Sequence, residues 1–71
     1  MNLTVNGKPA ALAGHQELSI TALLAELQVA QADYVTVELN GEILDERAAF
    51  PTIMVRDGDK IEFLYFMGGG R

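Results

Sequence analysis

One stretch limits the possible architectures of this chain more than any other. Ile20, Leu23, Leu24 and Leu27 fall at i, i+3, i+4 and i+7, the spacing that lines up four apolar side chains on one face of a helix. Residues 18–28 are therefore predicted to be helical, with Ser19 or Thr21 supplying the side-chain oxygen that caps the first turn. The rest of the chain carries strand and turn signals. A lone apolar helix face must be covered by a layer of another kind, and in a chain of 71 residues the available layer is a sheet.

The strands of that sheet can be read from alternation and turn residues. Leu3-Thr4-Val5 alternates and runs into Asn6-Gly7, a strong hairpin signal because both residues tolerate positive φ. The return passes through Pro9, which cannot donate to a ladder and belongs on an edge. Residues 13–17, including His15, read as a loop. After the helix, Val35, Val37 and Leu39 share one parity and Thr36 and Glu38 the other, and Asn40-Gly41 marks a second hairpin into Glu42-Ile43-Leu44. Residues 45–49 have room for one helical turn. Thr52-Ile53-Met54-Val55 precedes a third turn, Asp57-Gly58-Asp59, in which the carboxylates read as turn-formers. The last strand starts at Lys60. Of its residues, Ile61 and Phe63 are assigned to the core with Leu3, Val5, Val35, Val37 and Leu39, and Leu64 and Phe66 to the opposite sheet face.

This order predicts an α+β domain, a mixed four- to five-stranded sheet with one main helix across it. Should the first and last strands lie side by side and parallel, the fold is a β-grasp, the ubiquitin-like architecture; the pattern alone leaves that pairing open. Residues 1–66 form the predicted domain and residues 67–71 a flexible C-terminal tail.

The tail, Met67-Gly68-Gly69-Gly70-Arg71, directly follows the most apolar stretch of the sequence. Three consecutive glycines are costly to order and add nothing to a core. They do provide a thin backbone that can thread a narrow channel, Gly68 and Gly69 leading, and place a terminal carboxylate in another protein's active site. The bland reading is a frayed end or a purification scar. Composition excludes much else. There is no cysteine and one histidine, so no thiol nucleophile, disulfide, metal site or catalytic pairing is expected. Ten acidic against five basic residues give a net charge of −5, which disfavours nucleic acid and anionic membrane and suits a partner with a basic surface. No signal peptide or membrane-length apolar run is seen, so a cytoplasmic location is expected.

An Asn-Gly hairpin near residue 6, one amphipathic helix, the Val37-Glu38-Leu39-Asn40-Gly41 segment and Asp57-Gly58-Asp59 before an apolar strand ending in glycines together resemble the ThiS-type sulfur carrier of thiamine biosynthesis, over essentially the whole chain. The resemblance implies a protein co-substrate that is not itself an enzyme and binds no cofactor. A ThiF-like activating adenylyltransferase would use ATP to adenylate the terminal glycine carboxylate, which falls on Gly70. Sulfur from a cysteine desulfurase-derived persulfide would then give a thiocarboxylate, and a ThiG-like thiazole synthase would accept the sulfur. Leu64 and Phe66, beside the tail, are the expected docking residues. The sequence departs from the family pattern at Arg71, which lies beyond the diglycine; removal by a peptidase, a cloning residue or an unprocessed tail would each account for it. Three other readings stay open: a molybdopterin-synthase small subunit, which tends to carry prolines before its diglycine where Tyr65-Phe66-Met67 has none; another thiocarboxylate carrier; and a non-catalytic β-grasp binding module with an inert tail.

Overall fold

A computed structural model describes residues 1–66; the tail expected at residues 67–71 lies outside the described residues. In chain order the elements are β1 (Asn2–Val5), β2 (Lys8–Ala11), β3 (Glu17–Ser19), α1 (Ile20–Glu26), β4 (Thr36–Leu39), β5 (Glu42–Leu44), a 3-10 turn (Arg47–Ala49), β6 (Met54–Arg56) and β7 (Lys60–Leu64). Five strands form a mixed sheet in the order β2-β1-β7-β4-β5. The last strand is thus central. It runs parallel to β1, with Thr4 beside Lys60 and Val5 beside Ile61, and antiparallel to β4, with Val37 opposite Phe63 and Leu39 opposite Ile61. With α1 packed across this sheet, the fold is a β-grasp.

The helix is shorter than its sequence pattern. Ser19 has extended backbone and its Oγ accepts from the Ala22 amide at 3.0 Å, so it caps the helix and Leu18 falls outside. Leu18 instead sits in β3, which pairs antiparallel with β6 in a separate two-stranded sheet. At the other end Gln28 adopts a left-handed φ of 53°. Its amide donates to Ala25 O at 3.1 Å and the Val29 amide to Leu24 O at 3.0 Å, the paired bonds that close a helix C-terminus on a left-handed residue. Leu27 is consequently the C-cap and only half-buried, whereas Ile20, Leu23 and Leu24 are buried.

Facing that stripe are Leu3, Val35, Val37, Ile61 and Phe63, all buried, joined by Phe50 and Val55 from the segment after β5. Val5 and Leu39 pack against this core but are only partly buried; each is the residue before an Asn-Gly turn. Both turns have positive φ at both residues: 51° and 80° at Asn6 and Gly7, 51° and 87° at Asn40 and Gly41. Such turns match the twist of the strands they join.

The two asparagines also fasten β7. Where β1 turns away, the Asn6 amide donates to Ile61 O at 2.9 Å and the Asn6 Oδ1 accepts from the Phe63 amide at 2.8 Å. The side chain thereby stands in for the next residue of a neighbouring strand. On the other side, Asn40 Oδ1 accepts from the Lys60 amide at 2.9 Å and its Nδ2 donates to Asp59 Oδ1 at 3.1 Å. The Asp57-Gly58-Asp59 turn is likewise fixed by its carboxylates, Asp57 Oδ1 accepting from the Asn2 amide at 2.7 Å and Asp59 Oδ2 from the Arg56 amide at 2.8 Å.

Replacing Asn6 by glycine keeps the turn geometry but strands the Phe63 amide, a donor on a buried residue. The expected loss is about 1–2 kcal/mol of folding free energy, and Asn6→Asp, which keeps the acceptor, should recover most of it. Equal denaturant midpoints for wild type and Asn6→Gly would show that this bond contributes nothing.

Candidate docking face and tail exit

The alternation of β7 divides its side chains between two surfaces. Ile61 and Phe63 enter the core; Lys60, Glu62 and Leu64 point to the sheet face away from the helix. Register places other strands' side chains beside them. Leu64 lies opposite Thr36, and Glu38 lies opposite both Glu62 on β7 and Ile43 on β5. The outer face is therefore a band of Ile43, Glu38, Lys60, Glu62, Thr36 and Leu64, and the chain continues through the exposed Phe66 beyond the end of β7.

Of the two predicted docking residues, Phe66 is 74% exposed and Leu64 is half-buried, so the expected exposed pair is one exposed ring beside a partly covered leucine. The segment 45–51 does not cover them. It packs on the helix side, where the Thr21 amide donates to Phe50 O at 3.4 Å and Phe50 is buried in the core. Among the described residues three other large apolar or aromatic side chains are exposed: Tyr34 at 81%, Ile43 at 52% and Tyr65 at 46%. Ile43 was within reach of sequence reasoning, because a two-residue Asn-Gly turn sets the register that puts it opposite Glu38.

Electrostatically the band is unusual. Glu38 and Glu62 are directly opposed across β4 and β7, an arrangement that is destabilising within a sheet. Among the described residues neither carboxylate forms an ion pair; the two that occur are Arg56–Glu17 at 3.1 Å and His15–Glu26 at 3.8 Å. A shallow depression of about 300 Å3 lies over the band, lined by Glu38, Asn40, Gly41, Lys60 and Glu62. A wider groove of about 480 Å3 opens on the helix side between Leu24, Val29, Arg47 and Phe50, and no predicted site residue borders it.

His15, expected as a solvated loop residue, is half-buried beside Glu26. Among the described residues no group of three potential metal ligands comes together and no helix is long and apolar enough to cross a membrane. Gly68, Gly69 and Gly70, the predicted threading residues and acyl site, lie outside the described residues.

Comparison with known proteins matches this geometry to one group. The family model described as the ThiS family matches residues 3–70. The crystal structure of a thiamine biosynthesis protein (ThiS) from Geobacter metallireducens is 66% identical, with a TM-score of 0.93 over 99% of this chain and 100% of that one. A solution structure of a thiamine biosynthesis protein from the same organism is 65% identical, with a TM-score of 0.78 over 100% of this chain and 90% of that one. A protein named thiazole synthase from Paramagnetospirillum magneticum is 37% identical over 70 residues; this chain spans only 20% of its length. A family match over nearly all of the chain, together with a neighbour of the same fold and size at 66% identity, establishes that the chain belongs to the ThiS family.

Proposed function

We propose that this protein is a sulfur carrier of thiamine thiazole biosynthesis, a protein co-substrate whose reactive group is the carboxylate of Gly70. The observation that carries this reading is the extent of the family match, which runs through the glycines and ends at Gly70, one residue before Arg71. Support for the thiazole branch comes from the thiazole synthase of P. magneticum, a stretch of which is 37% identical to this chain.

A carboxylate resists nucleophilic attack because oxide is a prohibitive leaving group. In the proposed cycle a ThiF-like enzyme directs a Gly70 carboxylate oxygen onto the α-phosphorus of ATP, releasing pyrophosphate and leaving an acyl adenylate. A cysteine desulfurase-derived persulfide displaces AMP through its terminal sulfur. A second thiol then cleaves the resulting acyl disulfide, is itself oxidised to a disulfide, and frees the thiocarboxylate. Splitting the substitution in this way replaces one difficult step by easier ones. On a ThiG-like thiazole synthase the thiocarboxylate sulfur bonds to an electrophilic carbon of the acceptor, water then cleaves the acyl–sulfur bond, and the carrier returns as carboxylate while the sulfur stays on the acceptor. Glycine at the acyl position has no Cβ to crowd the attacking sulfur, and Gly68 and Gly69 let the backbone pass a narrow channel. A peptidase that removes Arg71 exposes Gly70. The protein itself holds no cofactor, and it works in the cytoplasm.

Docking falls to the outer sheet face, where Leu64 and Phe66 lie next to the tail. The opposed Glu38 and Glu62 outnumber Lys60 beside them and leave that face with a net negative centre, suited to a partner with a basic side chain at the matching point. The strain between the two carboxylates is relieved when that cation arrives.

Three outcomes are expected. Protein recovered from its native cells should include chains that end at Gly70 and react with a thiol-directed alkylating reagent in the C-terminal fragment; with no cysteine in the chain, that reaction reports a thiocarboxylate. Chains that always end at Arg71 and never alkylate would overturn the carrier reading. Leu64→Asp should raise the KM for ATP-dependent adenylation by about tenfold or more, the effect of losing a central contact of roughly 1.4 kcal/mol; an unchanged KM in a folded variant would remove Leu64 from the interface. Glu62→Gln should stabilise the fold by about 0.2–1 kcal/mol yet lower kcat/KM for adenylation, most at low salt; unchanged kcat/KM at low ionic strength would sever the acidic pair from docking.

A further inference from the structure

Tyr65 has the parity of Ile61 and Phe63 but follows the last residue of β7, Leu64. The ladder with β4 ends at Leu64 and the last bond to the β1 side is that from the Phe63 amide to Asn6. Tyr65 is held differently. Its hydroxyl donates to the carbonyl of Ala30, 35 residues earlier, at 2.7 Å. Among the described residues this is the most C-terminal side-chain hydrogen bond, two residues before Met67.

The acceptor sits in a loop that is itself well anchored. Residues 28 and 29 are fixed by the bonds that close α1, and the amides of Tyr34 and Val35 both donate to Gln31 O, at 2.8 and 3.0 Å. From the opposite side the Arg47 guanidinium donates to the carbonyls of Ala32 and Val35. Its central carbon lies 4.9 Å from the centre of the Phe50 ring, and Phe50 is part of the core. Ala30 O is thus a fixed point relative to the sheet.

We propose that Tyr65 is a positioning residue: its bond to Ala30 pins the point on the domain from which the chain continues toward its carboxylate. The proposal rests on the carrier reading above. The physical reason is effective concentration. With the domain docked on an activating enzyme, the end of a short tail searches a volume set by the freedom of its root. Fixing the residue before Phe66 narrows that volume without adding contact with the partner. The half-exposed ring is well suited to this, because its hydroxyl can be removed without opening a cavity in the core. A purely structural staple between β7 and the loop would instead act only through stability.

Tyr65→Phe removes the hydroxyl and keeps the ring. Two measurements test the proposal. In 15N relaxation, the order parameters of the Tyr65 and Phe66 amides should fall in Tyr65→Phe while those of β4 and α1 stay as in wild type. In ATP-dependent adenylation of chains ending at Gly70, kcat should fall by about three- to tenfold, the range for loss of one neutral hydrogen bond, with KM within about twofold because the docking face is intact. Arg47→Lys is the control for a stability effect. If it lowers the denaturant midpoint as much as Tyr65→Phe does and also lowers kcat as much, the tether acts only through loop stability and the positioning role is overturned. Unchanged order at Phe66, or unchanged kcat, overturns it as well. Wild-type chains ending at Gly70 that are never adenylated, alongside a loss of order at Phe66 in Tyr65→Phe, would overturn the carrier reading and the positioning role with it, leaving a tether without a task.

Discussion

The parallel contact between β1 and β7 is what the rest of the structure depends on. It brings residues 4 and 5 beside residues 60 and 61, which makes the last strand the centre of the sheet. The rest of the main sheet and the helix attach to that pair: β2 by a hairpin from β1, β4 and β5 on the far side of β7, and α1 across the face where Leu3, Val37, Ile61 and Phe63 are presented. A parallel ladder between strands so distant in sequence closes a long loop, which costs conformational entropy that local contacts cannot offset by themselves. The closure is secured at its ends. Asn6 extends the ladder through its own amide and side chain, and Asp57 and the Gly58 amide tie the start of β1 to the turn before β7.

Putting the C-terminal strand in the centre has a functional consequence. A terminus that follows an edge strand can be lost by fraying. Here β7 is bonded to both neighbouring strands as far as Phe63 and Leu64, and Tyr65 is held by its own bond to Ala30, so the acyl end of the proposed carrier continues from a strand paired on both sides. The layers divide the work. The helix-side face supplies the core, and the opposite face carries Ile43, Glu38, Lys60, Glu62 and Leu64 on a surface that stability does not require to be apolar.

How much of this can be read from the chain follows from the range of each interaction. The helix stripe and the two Asn-Gly turns are local, and the sequence shows both; the alternation of β4 and β7 likewise assigns Val35, Val37, Ile61 and Phe63 to the core. Pairing between strands some 55 residues apart is not local, and nothing in the pattern separates a parallel neighbour from an antiparallel one. The strand at residues 17–19 is hidden for a different reason. It is three residues long and directly abuts the helix cap, so its leucine reads as the first residue of the helix. Asparagine at the turns is visible as a conformational signal, but its side-chain bonds to β7 depend on the sheet order and cannot be seen without it. At the candidate site, the outward face of Leu64 follows from parity, while its neighbour Thr36 follows only from the register between β4 and β7. The bond from Tyr65 to Ala30 joins two residues that carry no motif.

In the proposed carrier cycle the opposed pair Glu38 and Glu62 and the bond from Tyr65 would act in opposite ways. A sequence selected only for stability would not place two carboxylates directly across a ladder, where exchanging one for a neutral residue relieves repulsion without disturbing the core. Keeping them makes sense where the face spends part of its life against a positive partner, so that a small loss of stability in the free protein becomes a gain on docking. The Tyr65 bond works in the same process but on the other variable. In the proposed cycle, charge on the outer face would set how often and with which partner the domain docks, and a fixed Tyr65 would set what fraction of docked complexes bring the terminal carboxylate to the nucleotide. A carrier that visits an activating enzyme and then an acceptor needs the first term weak enough to release. The second can be strengthened freely, because an intramolecular constraint raises the productive fraction at each stop without slowing departure from either.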